Sequence, residues 1–460
     1  MINKYWRWLP LISGLLAAGM VLKRELWFDE ALTLINFVLG KNPWEIYNSY
    51  FIPNNQIIYS IMLNIWDFLY CGLPDITVYW RILSLGCALG MLAILLHIRQ
   101  KIDHGRFFPA VLVLTAMTIS MPFVNYATAL RGYGASWLFG AMALWGLYQI
   151  TCEKKHSGWL LYGAGVLLAA GTVPTNLLLL AAVLVYALEW LDKPFWRDRR
   201  FYIAGGILLI LPVIFYGFIA NDFLNTFKLG EGFRSCGGAI AVTAGMYASC
   251  FGLLLIFIFA DIFSVRKSPG GYLRYTIWFF PAAPILLLHA VPFPRVFVTL
   301  LPVLAMLLID QIAWCTQKNW RHAQLTILFL LAVCTQLLLI PCGWQAVKKL
   351  HLSRYEDDFF LPWYMYPGYQ ISQTAETVRN FPEYKTVFLS FSSDPASILF
   401  YLNKTMPLAV DLPNNSVRSL NKGAVLVLRK DEDPASVGER FGGQLRKLSE
   451  NKLHSFYELY

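Results

Sequence analysis

Apolar runs of bilayer-spanning length dominate this chain. They fall at 8–22, 78–98, 107–123, 134–151, 158–173, 175–191, 201–220, 239–262, 273–291, 296–314 and 323–342. A helix needs roughly 20 apolar residues to cross a hydrocarbon core of about 30 Å, and most of these runs are about that long. The sequence therefore predicts a polytopic α-helical membrane protein with about eleven transmembrane helices. The ten-residue alternating segments of a β-barrel are absent. Charged residues make up only 14% of the chain, against about 25% in soluble domains.

The loops set the expected topology. Basic residues cluster at Lys4/Arg7, Arg99/Lys101/Arg106, Lys154/Lys155, Lys193/Arg197/Arg199/Arg200, Arg266/Lys267/Arg274 and Lys318/Arg321. A further apolar run, 55–70, is short and holds Asn64 and Asp67. If it does not cross, every basic cluster lies on the side of the N-terminus, as the positive-inside rule requires. The run then lies in the outer interface, the N-terminus is cytoplasmic, and the loop 23–77 is extracytoplasmic. The net charge of +10 is explained by this topology, and no nucleic-acid partner is expected. Eight cysteines without a C-x-x-C pair suggest neither a disulfide framework nor a zinc site. The run 8–22 lacks the small-residue cleavage site of a signal peptide.

Composition changes near residue 345. The expected division is a transmembrane module, 1–344, whose loop 23–77 carries the site, and a small soluble extracytoplasmic α/β domain, 345–460. TVFLSF (386–391) and AVLVLR (424–429) read as buried strands. Each is followed by Asp-Pro-Ala-Ser, at Asp394–Ser397 and Asp433–Ser436, with Asp as N-cap and Pro in the first helical turn. No glycine-rich phosphate loop is present, so this domain is not expected to bind a nucleotide.

Within the loop 23–77, KRELWFDEALTLINF (23–37) places two carboxylates, Asp29 and Glu30, among Leu26, Trp27, Phe28 and Leu32. Acids bracketed by aromatics at a membrane edge are costly without a use. Asp29 reads as a general base and Glu30 as a residue holding a cation or the acceptor. The structural alternative is Asp29 as the cap of a helix over 30–39. Arg131, at the outer mouth of its span with Tyr126 and Tyr133 nearby, reads either as a lipid-phosphate clamp or as a headgroup anchor. The same choice applies to Arg295, in the turn 292–295, and to Arg81. Asn54, Asn55 and Gln56 could bind sugar hydroxyls, complete a cation site or cap a helix. The glycine-rich loop 221–238 reads as a lid or a plain connector. Histidines are scarce on the outer side, which argues against a zinc centre. A cation, if bound, would be a hard one such as Mg²⁺ or Mn²⁺. No charge lies in the middle of a span, which argues against an ion-coupled transporter.

Taken in order, these stretches resemble a known group. Trp27-Phe28-Asp29-Glu30-Ala31 resembles the W-[YF]-D-E-[AG] signature of integral-membrane glycosyltransferases with the C-type fold, which use lipid-phosphate sugars. The group includes the protein O-mannosyltransferases and the lipid A aminoarabinose transferases. PNNQIIY (53–59) resembles the N-H-P-P-L-Y-Y element of that group. Residues Tyr79–Ser84 resemble its R-[LF]-P-S element, Tyr126–Tyr133 its Y-S-x-E-A-R-x-Y element, and PFPRVFVTLLP (292–302) its late Y-P-R-Y turn. The chain departs from the pattern at Gln56, Ile57 and Ile58, which stand for the histidine and two prolines. It departs again at Thr128 or Ala129, where the pattern has an acid.

The resemblance covers about the first two thirds of the chain. It implies an inverting transferase in the cytoplasmic membrane that moves one sugar from a polyprenyl-phosphate donor to a protein, lipid or glycan acceptor. Asp29 would deprotonate the acceptor, Glu30 would support a cation or the acceptor, and Arg131 and Arg295 would engage the donor phosphate. The competing expectations are a non-enzymatic isoprenoid-phosphate carrier protein or flippase, and a receptor-like protein whose tail senses a ligand.

Overall fold

The computed structural model describes residues 3–50, 55–73, 75–103, 107–226, 236–258, 271–287, 294–316, 324, 327–336, 370–402, 406–411 and 416–460. Asn54, residues 227–235 of the loop 221–238, His289, the Lys318/Arg321 cluster and the stretch 345–369 lie outside them. The chain divides into two compact units. One comprises Met1–Leu22 and Lys41–Pro362, the other Lys23–Gly40 and Trp363–Tyr460.

The first unit is helical. Among the described residues three helices are long and apolar enough to cross a membrane: Ile76–Ile102, Arg199–Gly217 and Arg295–Trp314. The pair Phe108–Thr118 and Met121–Ala127, bent by 72°, would make a fourth if counted as one span. The bend has a local cause. Ser120 caps the second helix through Phe123 N–H (3.4 Å), and Pro122 sits in its first turn without an N–H to continue the first. Other expected runs form shorter helices, among them Leu9–Gly19, Ser157–Thr172 and Asn176–Tyr186. The 55–70 run forms Ile57–Phe68. Its 12 residues extend about 18 Å, well short of a hydrocarbon core.

Glycines set a close helix contact. Helix 133–151 packs on helix 157–172 with Gly146 against Gly158 and Gly165 against Ala143. A Cβ at Gly146 would lie 2.5 Å from Tyr162 N, and one at Gly165 would lie 2.6 Å from Ala143 N. Backbones approach this closely only over small residues, the usual means of association between apolar helices. Gly146→Val is therefore expected to destabilise the first unit by about 1–3 kcal/mol. Thermal unfolding in detergent checks this, with Leu160→Val, an exposed position on the partner helix, as a control that shifts nothing.

At one end of this unit the charged residues pair with each other. Arg99 bonds Asp103 (2.6 Å) and Asp310 (2.5 Å), Tyr186 Oη donates to Asp310 (2.8 Å), and Arg274 pairs with Asp310 and Glu189. Lys101 and Lys155 both pair with Glu153, and Arg200 with Asp192 and Asp198. The basic clusters expected on one side thus share acidic partners at the helix ends. Asp310, inside helix 301–316, was not singled out by the sequence, because it lies toward the end of its apolar run.

The second unit is a mixed sheet with helices. Its strands are β1 (Val387–Leu389), β2 (Leu408–Val410), β3 (Val425–Arg429), β4 (Leu445–Glu450) and β5 (His454–Leu459). They are ordered β2-β1-β3-β5-β4, with β1 parallel to β2 and β3, and β5 antiparallel to β3 and β4. The two strands expected from sequence are β1 and β3, at the centre. Their alternation divides the core. Val387, Leu389, Val425 and Val427 face helices 371–379 and 395–402, whereas Phe388, Leu426 and Leu428 face Val437 and Phe441.

The two Asp-Pro-Ala-Ser tetrapeptides differ. Asp433 caps helix 434–440 by accepting from Ala435 N–H (3.1 Å) and Ser436 N–H (3.2 Å). Asp394 lies in the left-handed region at φ 57°, which Asp tolerates better than most residues, and helix 395–402 starts behind it. Burial, with Arg429 close by, pushes the imidazole of His454 down to about 3, so it is a neutral core residue bonded to Thr374 (2.8 Å).

Candidate functional site

In the first unit, three of the stretches singled out in the sequence converge. Gln56, at the head of helix 57–68, accepts through Oε1 from Gly132 N–H. Tyr59 Oη lies 2.6 Å from Ser84 Oγ, which donates to Ala129 O (2.7 Å). Arg81, fully buried, donates from Nη1 to Thr128 O (2.9 Å). The carbonyls of the turn 128–129, left without helical partners, are thus held by side chains of helix 76–102, one of them backed by Tyr59 of helix 57–68. Arg131 projects from this turn and is 6% exposed. Tyr126 and Tyr133 flank it, rings edge to face at 4.7 Å.

Gly132 is required there. A Cβ would collide with Thr172 Cγ2 and stand 3.1 Å from Gln56 Oε1. Helix 57–68 is itself anchored to the start of 76–102. Trp66 stacks on Tyr79 (4.9 Å), each donates to the other's carbonyl (2.9 Å), and Trp80 Nε1 donates to Asp67 (2.8 Å). Asn55 uses its amide on the carbonyls of Ile46 (2.9 Å) and Ser49 (3.1 Å) and accepts from Ser60 (3.1 Å), so it shapes the entry to this helix.

Arg295 is half-buried at the start of the turn Pro294–Leu300. That turn is fixed by Trp137 Nε1, which donates to Val298 O (2.9 Å), and by Tyr247 Oη, which donates to Phe297 O (3.0 Å). Trp137 belongs to the second turn of helix 133–151, so the Arg295 turn is tied to the end of the helix at which Arg131 stands. Arg81 and Arg99 stand eighteen residues apart on helix 76–102. That is about 27 Å, so the convergence and the ion-pair network lie about a hydrocarbon thickness apart.

Asp29 and Glu30 belong to the second unit. They lie in helix Phe28–Thr33, which continues as a π-turn, Leu34–Val38. Trp27 is the N-cap, so Asp29 is a first-turn residue and does not cap a helix over 30–39. Asp29 is half-buried; its carbonyl accepts from Thr33 Oγ1 (2.8 Å).

Glu30 is fully buried. Its carboxylate accepts from Trp27 N–H (3.4 Å) and Arg24 Nη2 (3.5 Å). A carboxylate that already faces a guanidinium and a helix-cap N–H is poorly placed for a divalent cation, whose ligands must be free to converge on it. Glu30 fits a capping residue better than a metal ligand, and no chemical step is assigned to a metal. Among the described residues no three His, Cys, Asp or Glu side chains are grouped as metal ligands.

The sequence did not reveal what holds the acid pair. Trp27 is packed in the core of the second unit with Ile371, Val387 and Ile398. Glu25 accepts from Ser372 N–H (2.9 Å) and from its hydroxyl. Leu26 N–H donates to Tyr401 Oη (3.0 Å), and Phe28 meets Phe391 edge to face at 5.5 Å. These partners are about 350 residues away in the chain, and no local pattern announces them. No family model and no curated protein matches this chain.

Proposed function

We propose that the protein is a membrane glycosyltransferase of the C-type fold, with about eleven spans, that transfers a sugar from a polyprenyl-phosphate donor to an acceptor at the outer face of the cytoplasmic membrane. Asp29 takes the proton of an acceptor hydroxyl or amine, and the acceptor atom attacks the anomeric carbon. The bond from that carbon to the phosphate oxygen breaks, and polyprenyl phosphate leaves with both electrons. Arg131, Arg295 and Arg81 are the groups proposed to stabilise the charge that develops on it. The sugar–phosphate bond supplies the driving force, so no nucleotide is required.

The observation that carries this reading is the convergence of 55–59, 79–84 and 126–133 on the Arg131 turn. Three stretches far apart in sequence build one buried, charged turn, and a buried arginine in an apolar protein is costly unless it has a use. Polyprenyl phosphate in detergent is the probe. Arg131→Ala is expected to weaken its binding about 10- to 100-fold, the loss of one or two charge-assisted hydrogen bonds. Unchanged affinity would remove Arg131 from the donor site.

A further inference from the structure

We infer that the loop 390–393 of the C-terminal domain, through Phe391, together with Tyr401, is the positioning device for Asp29. The inference rests on the reading of Asp29 as the base and extends it to residues in a part of the chain that the resemblance does not cover. Ser390 and Ser392, on either side of Phe391, both donate to Glu432 (2.7 and 3.0 Å). Glu432 in turn accepts from Arg429 N–H (2.7 Å) at the end of β3. The loop is therefore pinned to the central strands on both sides of Phe391, and the Phe391 ring meets Phe28, the residue before Asp29.

Tyr401 fixes the residues that lead up to the acid. Its hydroxyl accepts from the N–H of Leu26, three residues before the acid, while Ser372 holds Glu25. Four successive residues, Glu25 to Phe28, are thus each held by the C-terminal domain immediately ahead of Asp29. A general base works only within hydrogen-bond reach of its proton, and an ångström of misplacement can cost about a hundredfold in rate. A short helix clamped in this way is suited to hold the carboxylate in place.

The test uses the full-length protein in liposomes with a panel of polyprenyl-phosphate sugars and an envelope glycan extract, following release of polyprenyl phosphate per folded molecule. Phe391→Ala is expected to lower kcat about 10- to 100-fold with donor affinity unchanged, and Phe391→Tyr to restore it. Tyr401→Phe, nearly isosteric and able to fold, should lower kcat by about 3- to 10-fold. A purely structural role would reduce the folded fraction and leave kcat per folded molecule within twofold, which would overturn the inference. Asp29→Asn run in parallel separates the two layers. If it abolishes release while Phe391→Ala and Tyr401→Phe do not change it, the positioning inference alone fails; if Asp29→Asn releases carrier normally, the base assignment fails and this inference with it.

Discussion

Asparagine in place of Asp29 is expected to lower sugar transfer by about 10²- to 10⁴-fold, the range a general base contributes, with donor binding unchanged. Amide and carboxylate are nearly the same size, so the half-buried first-turn position is kept, and Thr33 still bonds the backbone carbonyl of residue 29. What is lost is the ability to accept a proton from the acceptor. The donor phosphate is proposed to meet Arg131, Arg295 and Arg81, so its affinity serves as an internal control. A variant that loses both would mean that Asp29 acts in binding; a variant that keeps both would exclude it from the chemistry.

The second large effect is one of stability. Trp27→Ala is expected to destabilise the second unit by about 3–5 kcal/mol, as for a buried aromatic removed from a packed core. Trp27 is 6% exposed and contacts the side of the sheet formed by Val387, Leu389, Val425 and Val427. That loss is a large part of a domain's total stability. Hydrogen exchange at the amides of β1 and β3 reads it directly, since these central strands open near the global free energy. Faster exchange there is expected. Unchanged protection would show that the segment 23–40 is a surface attachment to the domain and contributes nothing to its core.

Part of this architecture was legible in the chain. TVFLSF and AVLVLR are the central strands because β-branched residues bounded by turn residues have few other uses, and Asp433-Pro434 starts its helix for the expected reason. The same tetrapeptide at Asp394 also precedes a helix, but there the Asp takes the left-handed conformation where the chain turns from β1 into helix 395–402. Strands β4 and β5 gave no signal. Leu445–Glu450 is a polar edge strand with nearly every residue exposed, so it lacks the apolar alternation on which strand reading depends.

The candidate residues show the same division. Gln56, Arg81 and Arg131 were picked for their chemistry and are brought together by the fold, although the bonds that join them, Gln56 to Gly132 and Arg81 to Thr128, involve backbone groups that sequence does not mark. Glu30 was read as holding a cation or the acceptor, and its buried carboxylate accepts from Arg24 and from the Trp27 N–H as a capping residue does. The attachment of residues 23–40 to the C-terminal domain depends on Tyr401, Ser372 and Phe391. Pairings across so many residues follow from three-dimensional packing and leave no periodic trace in the chain.

The proposed transfer breaks the bond between sugar and carrier, and that step is directly measurable. Liposomes holding the purified protein and a polyprenyl-phosphate sugar with a labelled carrier, supplied with an envelope extract as acceptor, should release labelled polyprenyl phosphate in step with sugar incorporation, and Asp29→Asn should abolish both. Donor that is bound, or moved between leaflets, and recovered with its sugar still attached would contradict a transferase and mark the protein as a carrier or flippase.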